Sequence, residues 1–304
     1  MPLTTAVRHY AALKRGLGYR FLDQEQMLLQ YAAFADAAGD AYIMSARALE
    51  WAGKARAARR SQARLSVVRH FAIAMHAEDD RHQIPPRDAF GRGKPPRPRP
   101  HILTVAQIER ILEAARAIPP IASLTPYTYR YLIGLIATTG LRVAEAVELR
   151  QTDLTRDGLV IRETKFHKTR LVPITDCTRR ALEHYLVLRR RIGGSDPHLF
   201  VLSNGRSTDR SSVTRAFIEL ARRVGVRRVA GRGPRLHDLR HSFAVRSLEA
   251  CGSGRAAIDR HVLALSTYLG HASLSDTYWY LEATPVLTRQ IADAAEAFHA
   301  GGAA

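Results

Sequence analysis

Between Arg81 and Pro100 the chain stops being able to form regular structure: Pro85, Pro86, Pro95, Pro96, Pro98 and Pro100 alternate with Gly91, Gly93 and basic residues such as Arg92 and Lys94. Proline brings no amide hydrogen to a ladder, and glycine gains little from being ordered, so neither a helix nor a sheet interior passes through such a stretch. The segment predicts an extended linker over 81–100. It divides a first domain, 1–80, from a second, 101–304.

The first part reads as wholly helical. Met27, Leu28, Tyr31, Phe34 and Ala35 recur at helical spacing, as do Leu65, Val68, Phe71, Ala72 and Met75, with Arg64 and Arg69 on the other face of the second stripe. After the linker, Thr104 with Gln107 three residues on predicts a capping box and a helix over 104–117. The remainder reads as mostly helix, interrupted near 152–175 by a hairpin whose β-prone runs are 159–161 and 171–172. The fold class expected is mainly α with a small β-hairpin or sheet.

Lys and Arg number 46 against 28 Asp and Glu, and the excess lies in both halves of the chain. Such a surface favours a polyanion, most commonly an elongated phosphate backbone, and the linker's own cations would track phosphates across a duplex. Cys177 and Cys251 stand far apart and outside any CxxC or Cys/His cluster, so neither a disulfide framework nor a metal site is indicated. With no long apolar run and no signal-like start, a cytoplasmic location is expected, with no membrane association.

Four segments of the second domain carry groups suited to phosphoryl transfer. In TTGLRVAEAVELR, 138–150, Gly140 ends a helix and Arg142 and Glu145 follow three apart, a guanidinium able to fork onto a phosphate with a carboxylate to orient it. TKFHKTRLVPI, 164–174, places Lys165, His167, Lys168 and Arg170 around the hairpin turn, where an ammonium could protonate a leaving 5′-oxygen. RLHDLRHSFAV, 236–246, sets His237 and Arg240 at i and i+3, a proton-transfer group beside a phosphate clamp. YLGHASLSDTYWYLEA, 268–283, supplies His271 and the phenols Tyr278 and Tyr280. A phenol ionises near pH 10, so as a nucleophile it needs cations on its target and a proton acceptor. Each segment alone reads as an ordinary surface ion pair, charged turn or core aromatic; their joint order is what points to chemistry.

That order, Arg, Lys, His-x-x-Arg, Gly-His and then a Tyr nine positions after the last His, resembles the tyrosine recombinases, which include phage integrases and the Xer recombinases. TGLRVAE, LHDLRHSFA and LGHASLSDTYWY carry the likeness, which spans about residues 101–285. The helical first half is similar in kind to that family's core-binding domain. The resemblance implies that Arg142 and Arg240 grip the scissile phosphate, with a hydrogen bond from His271. Lys165 would be the general acid, and His237 would help deprotonate the tyrosine or hold the phosphate. Glu145 would position the cations, and Tyr280 would attack. It implies a 3′-phosphotyrosyl intermediate, strand exchange through a Holliday junction without ATP, and no cofactor or metal. The partner would be double-stranded DNA, with four copies of the chain, or an assembly with related recombinases, on two sites. In the family the tail beyond the tyrosine links neighbours, and here packing on its own domain stands as the alternative.

Two departures leave choices open. The family's hairpin often reads Gly-Lys-Gly-x-Lys where this chain has Thr164 to Lys168, so Lys168 stands as an alternative to Lys165. Tyr278 competes with Tyr280, although the register from His271 favours Tyr280 and two positions along a helix point to different faces. A type IB topoisomerase-like enzyme and a catalytically silent DNA-binding factor are the competing readings. Relaxation of plasmids lacking any special site would mark the former, and loss of a catalytic position the latter.

Overall fold

The computed structural model describes residues 2–91, 100–162, 169–191, 196–228, 233–251, 255–271 and 273–281. The chain divides into two compact units, Met1–Arg97 and Pro98–Ala304.

The first unit is a bundle of α1 (Leu3–Gly16), α2 (Leu22–Asp36), α3 (Ser45–Gly53) and α4 (Ala58–Glu78). The expected stripe on α4 is its core face: Leu65, Val68, Phe71, Ala72 and Met75 are all buried. On α2, Leu28, Tyr31 and Ala35 are buried while Met27 and Phe34 pack at the margin. The start of α1 is tied to the end of α2 by Asp36, whose carboxylate accepts the Leu3 and Thr4 amides at 2.9 and 3.2 Å and the Thr4 hydroxyl at 2.6 Å. It thereby satisfies amides that a helix start leaves without partners. The front of the expected linker is not a free strap. Gln83 N–H donates to the Ile43 carbonyl at 2.8 Å, Arg69 donates to the Pro85 carbonyl, and Phe90 packs on the bundle core. Residues 92–99 lie outside those described.

The second unit opens with α5 (Val105–Ala114), which has the expected capping box: Thr104 Oγ1 accepts the Gln107 amide at 3.2 Å and Gln107 Oε1 accepts the Thr104 amide at 3.0 Å. At its centre is α6 (Leu124–Thr139), whose Leu132, Ile133 and Ile136 are fully buried. After α7 (Val143–Glu148) comes an antiparallel sheet of β1 (Leu154–Thr155), β2 (Gly158–Ile161) and β3 (Arg170–Val172), with Leu159 opposite Val172 and Ile161 opposite Arg170. The period-two alternation buries Leu159, Ile161 and Val172 and exposes Leu171. Next come α8 (Asp176–Arg190), α9 (Arg210–Arg223), α10 (Asp238–Glu249), α11 (Arg255–Leu269) and α12 (Ser275–Leu281). A smaller cluster of Val245, Leu248, Val262, Leu265, Leu269 and Tyr280 joins α10, α11 and α12. The architecture is the mainly helical one with a small sheet that the sequence predicts.

Candidate active site

The site is organised by the end of α11. The sequence Tyr268-Leu269-Gly270-His271 closes the helix through a left-handed glycine, Gly270 at φ +66°. The Gly270 amide donates to the Thr267 carbonyl and the His271 amide to the Ser266 carbonyl, each at 3.0 Å. This double closure satisfies the carbonyls of 266 and 267 and leaves those of 268, 269 and 270 for other donors. Three arginines from three elements take them. Arg170 Nε donates to Tyr268 O at 3.0 Å, Arg240 Nη2 to Leu269 O at 2.8 Å, and Arg142 Nη2 to Gly270 O at 2.8 Å. Carbonyls at a helix C-terminus carry partial negative charge, so they both orient the guanidiniums and lower the cost of gathering them. A side chain at 270 would also collide with Arg170, since a Cβ there would stand 2.9 Å from Nη1.

Each arginine has a further anchor. Arg142 is the residue that begins α7 rather than a member of its face. Its amide donates to Glu145 Oε2 at 3.0 Å and its Nη1 to Glu145 Oε1 at 2.7 Å. Arg170 forks onto the same carboxylate, at 3.1 and 2.8 Å. Arg240, only 2% exposed, donates through Nη1 to the carbonyl of Gly140 at 2.6 Å, where α6 ends in another left-handed glycine. Burial pushes the Glu145 carboxyl up, but Arg170 and Arg142 outweigh it and hold the group below its ordinary value. Burial and then the charge of Arg142 bring the Arg240 guanidinium down to about 10. Two guanidiniums, Arg142 and Arg170, thus share the Glu145 carboxylate while Arg240 rests on backbone carbonyls, and the surplus positive charge suits a phosphodiester.

The aromatic groups gather beside them. Tyr280 is 3% exposed whereas Tyr278 is 48% exposed, the two faces expected of a two-residue step. Burial raises the Tyr280 phenol, opposed by the charge of Arg240 and by a hydrogen bond from that side chain. His271 stacks alongside the Tyr280 ring, 6.0 Å between centroids, and its Nδ1 lies 2.7 Å from the buried Thr277 hydroxyl. Burial, then Arg240 and Arg142, bring its imidazole down to about 4. His237 is exposed at the start of α10, yet the protein walls around it, followed by the charge of Arg240, disfavour its imidazolium.

Arg142, Glu145, Arg240, His271 and Tyr280 therefore converge, with His237 one turn before His241 on α10 and edge-on to that ring at 4.5 Å. Lys165, and with it Lys168, lies outside the described residues. So does the tail after Leu281.

One participant, His241, escaped the sequence reading, and Arg170 is named there only among the cations of the hairpin turn. The strand alternation sets Arg170 on the same face as Val172, a signal for an inward cation that went unused. His241, directly after Arg240, places Nδ1 3.2 Å from the Tyr280 hydroxyl. Among the described residues no cluster of three His, Cys, Asp or Glu is placed to hold a metal ion, and no helix is long and apolar enough to cross a membrane.

Comparison with known proteins follows the same outline. A family model described as the phage integrase family matches residues 101–285. A Sinorhizobium fredii protein described as an integrase/recombinase, y4rB, is 38% identical over 296 residues, covering 94% of each chain. Tyrosine recombinase XerD of Rhizobium meliloti is 33% identical over 247 residues, covering 79% of this chain and 74% of its own. Among solved structures, XerH site-specific recombinase bound to its palindromic difH substrate aligns with a TM-score of 0.64 at 18% identity, over 90% of this chain and 78% of that one. A lambda integrase tetramer bound to a Holliday junction aligns at 0.63 and 18%, over 92% and 77%. At such identity these two likenesses concern the fold.

Proposed function

This chain belongs to the phage integrase family, and from that premise we propose that it is a site-specific DNA recombinase that cuts and rejoins strands through a 3′-phosphotyrosyl link on Tyr280. The reading rests above all on Arg142 and Arg240 meeting at the end of α11 beside the buried Tyr280 hydroxyl. In it the two guanidiniums clamp the scissile phosphate, and their charge stabilises the extra negative charge of the transition state. His271 lends a hydrogen bond to a phosphate oxygen. Glu145 holds Arg142 in register. His237, exposed at the site's edge, fits the phosphate-holding role better than the deprotonation of Tyr280. Lys165 gives its proton to the departing 5′-oxygen.

The bond energy stays in the phosphotyrosyl ester, so the free 5′-hydroxyl of a partner strand can attack it and reseal the DNA without ATP. Two such exchanges pass through a Holliday junction. Four copies of the chain on two double-stranded DNA sites would supply the needed nucleophiles, and the first unit would clasp the duplex as a core-binding domain.

The test uses duplexes selected by the protein from a random pool, nicked near the cleavage position so that a short strand is lost and religation fails. The unaltered protein and Tyr278→Phe should both yield an SDS-resistant protein–DNA adduct, and Tyr280→Phe should yield none. An adduct from Tyr280→Phe would remove Tyr280 from the mechanism. No adduct from the unaltered protein on its selected site would sink the enzyme reading in favour of a DNA-binding factor.

A further inference from the structure

We propose that His241 is an additional catalytic residue, the group whose Nδ1 takes the proton of the Tyr280 hydroxyl as that oxygen attacks phosphorus. The inference rests on the recombinase reading and deepens it. His241 Nδ1 lies 3.2 Å from Tyr280 Oη, the ring centroids are 5.4 Å apart, and the two residues are 7% and 3% exposed.

The direction of the proton follows from donors and acceptors. A guanidinium only donates, so the hydrogen bond between Arg240 and Tyr280 makes the phenol oxygen an acceptor there. The phenol's own hydrogen then points elsewhere, and His241 Nδ1 is within reach. The other side of the imidazole favours this tautomer. Asp238, fully buried and three residues earlier on α10, places Oδ1 4.0 Å from His241 Nε2. Asp238 is itself fixed by the Arg235 amide at 2.7 Å and the Arg235 guanidinium at 3.1 Å. At 4.0 Å, beyond hydrogen-bond reach, that carboxylate acts through its charge alone, which favours the ring hydrogen on Nε2 and turns the Nδ1 lone pair to the phenol. Asp238, His241 and Tyr280 thus form a row of carboxylate, imidazole and phenol.

The competing imidazoles are placed otherwise. His271 Nδ1 is engaged with the Thr277 hydroxyl while its ring stacks on Tyr280, and His237 meets His241 edge-on. Burial above all, then His237, with Arg235 and Arg240 acting against Asp238, keeps His241 neutral at rest, down to about 3. A bound phosphodiester would cancel part of the positive field from Arg240 and Arg235, raising the basicity of His241 when the proton must move.

The step balances. The Tyr280 Oη–P bond forms and the P–O5′ bond breaks. The phenol proton goes to His241 Nδ1, and the leaving O5′ receives a proton from the general acid, Lys165 in the reading above. In rejoining, His241 returns its proton to the departing phenolate.

The deciding variant is His241→Asn, whose side-chain oxygen can still accept a hydrogen bond near the Nδ1 position but cannot hold the proton. Adduct formation on the nicked selected duplex should fall by about 10²–10⁴-fold, with duplex affinity changed by no more than about twofold. A second assay removes the phenol. In a Tyr280→Phe background, a strand ending in a 3′-p-nitrophenyl phosphate is joined when a 5′-hydroxyl displaces p-nitrophenolate, so no tyrosine proton moves. There His241→Asn should lie within about threefold of its parent. If joining falls as far as cleavage, His241 serves the phosphate or the fold and the proposal is wrong. Cleavage within about threefold of the unaltered protein would also overturn it. An unaltered protein that makes no adduct fails the recombinase reading instead, before His241 is in question.

Discussion

Both units of this chain are basic, but several cations of the first unit lie at its surface, whereas those gathered at the end of α11 are drawn into the second. In the first unit, Lys54 lies 3.9 Å above the Phe34 ring, Arg64 4.8 Å above Trp51 and Arg81 4.4 Å above Tyr42, with Lys54 and Arg81 also pairing at the surface with Glu50 and Asp79. A cation resting on a ring gains on the order of 1 kcal/mol and keeps much of its hydration and freedom. In the second unit, Arg142, Arg170 and Arg240 are spent on named acceptors: helix-end carbonyls, the Gly140 carbonyl and Glu145. The first arrangement presents charge and the second presents geometry. A surface that only attracts a polyanion can exchange its cations, whereas a site that aligns a phosphorus atom with a nucleophile cannot.

The sharpest way to break this contrast is Arg240→Lys, which keeps the charge and removes the fork. An ammonium cannot reach the carbonyls of Gly140 and Leu269 and the Tyr280 oxygen together, because its donors radiate from one atom. Adduct formation should fall by about 10²–10³-fold, the cost of losing one fixed donor to a transition-state oxyanion. A single-turnover rate within about tenfold of the unaltered protein would mean that charge alone suffices. Glu145→Gln probes the same cluster more gently. It keeps the shape of the carboxylate but leaves Arg142 and Arg170 repelling each other, so a loss nearer tenfold is expected.

Acid should distinguish the two units. In the folded second unit His271 and His241 are held down to about 4 and about 3, and His237 is also lowered. An imidazole depressed on folding contributes stability that is complete above the unfolded value, near 6.5, and is lost as pH falls through the folded value. Glu145, also depressed, adds a loss at still lower pH. Between about pH 6.5 and 4 each such histidine can cost up to about a tenfold rise in opening per pH unit. Among the described histidines of the first unit only His82 shows the same direction, and that unit's lowered carboxyls, Glu50 and Asp79, act below their ordinary carboxylate range rather than in the histidine window. Hydrogen exchange read by mass spectrometry should therefore show α10 losing protection on acidification faster than α4, and His271→Asn should reduce the difference. Equal acid sensitivity of the two helices would remove the distinction.

What could be read in advance follows the range of the interactions. The Thr104 capping box, the buried stripe of α4 and the left-handed Gly140 depend on neighbours within a few residues, and each was legible. Helical phase, a local property, set Tyr278 and Tyr280 on different faces, and the register from His271 that the resemblance supplies chose Tyr280. The convergence on α11 was legible only as an ordered set of residue types. That the carbonyls of 268, 269 and 270 would be the common anchor could not be read, since their partners stand 29 to 128 residues away. His241 was missed for a related reason. Its neighbours Arg240 and His237 already filled the expected roles, and its contact with Tyr280 exists only once α10 and α12 pack. The front of the linker was misjudged because proline content reports the lack of regular structure, not the lack of contacts. Ile84, Pro85 and Phe90 are the residues there with apolar surface to dock, and all three are at least half-buried.

The smallest effect expected lies with Arg64. Its guanidinium stacks on Trp51 at the edge of the first unit's core, so Arg64→Ala should lower stability by no more than about 1 kcal/mol. If this unit meets the phosphate backbone, the variant should also weaken DNA binding alike for selected and unrelated duplexes. It should reduce the slope of log affinity against log salt by about one. Arg64→Lys should restore most of that slope, because counterion release counts charges rather than hydrogen-bond geometry. The matched exchange at Arg240 should restore nothing. A lysine that fails at 64 as it fails at 240 would show that the first unit also recognises DNA through fixed donors, and the contrast between presented charge and presented geometry would fall.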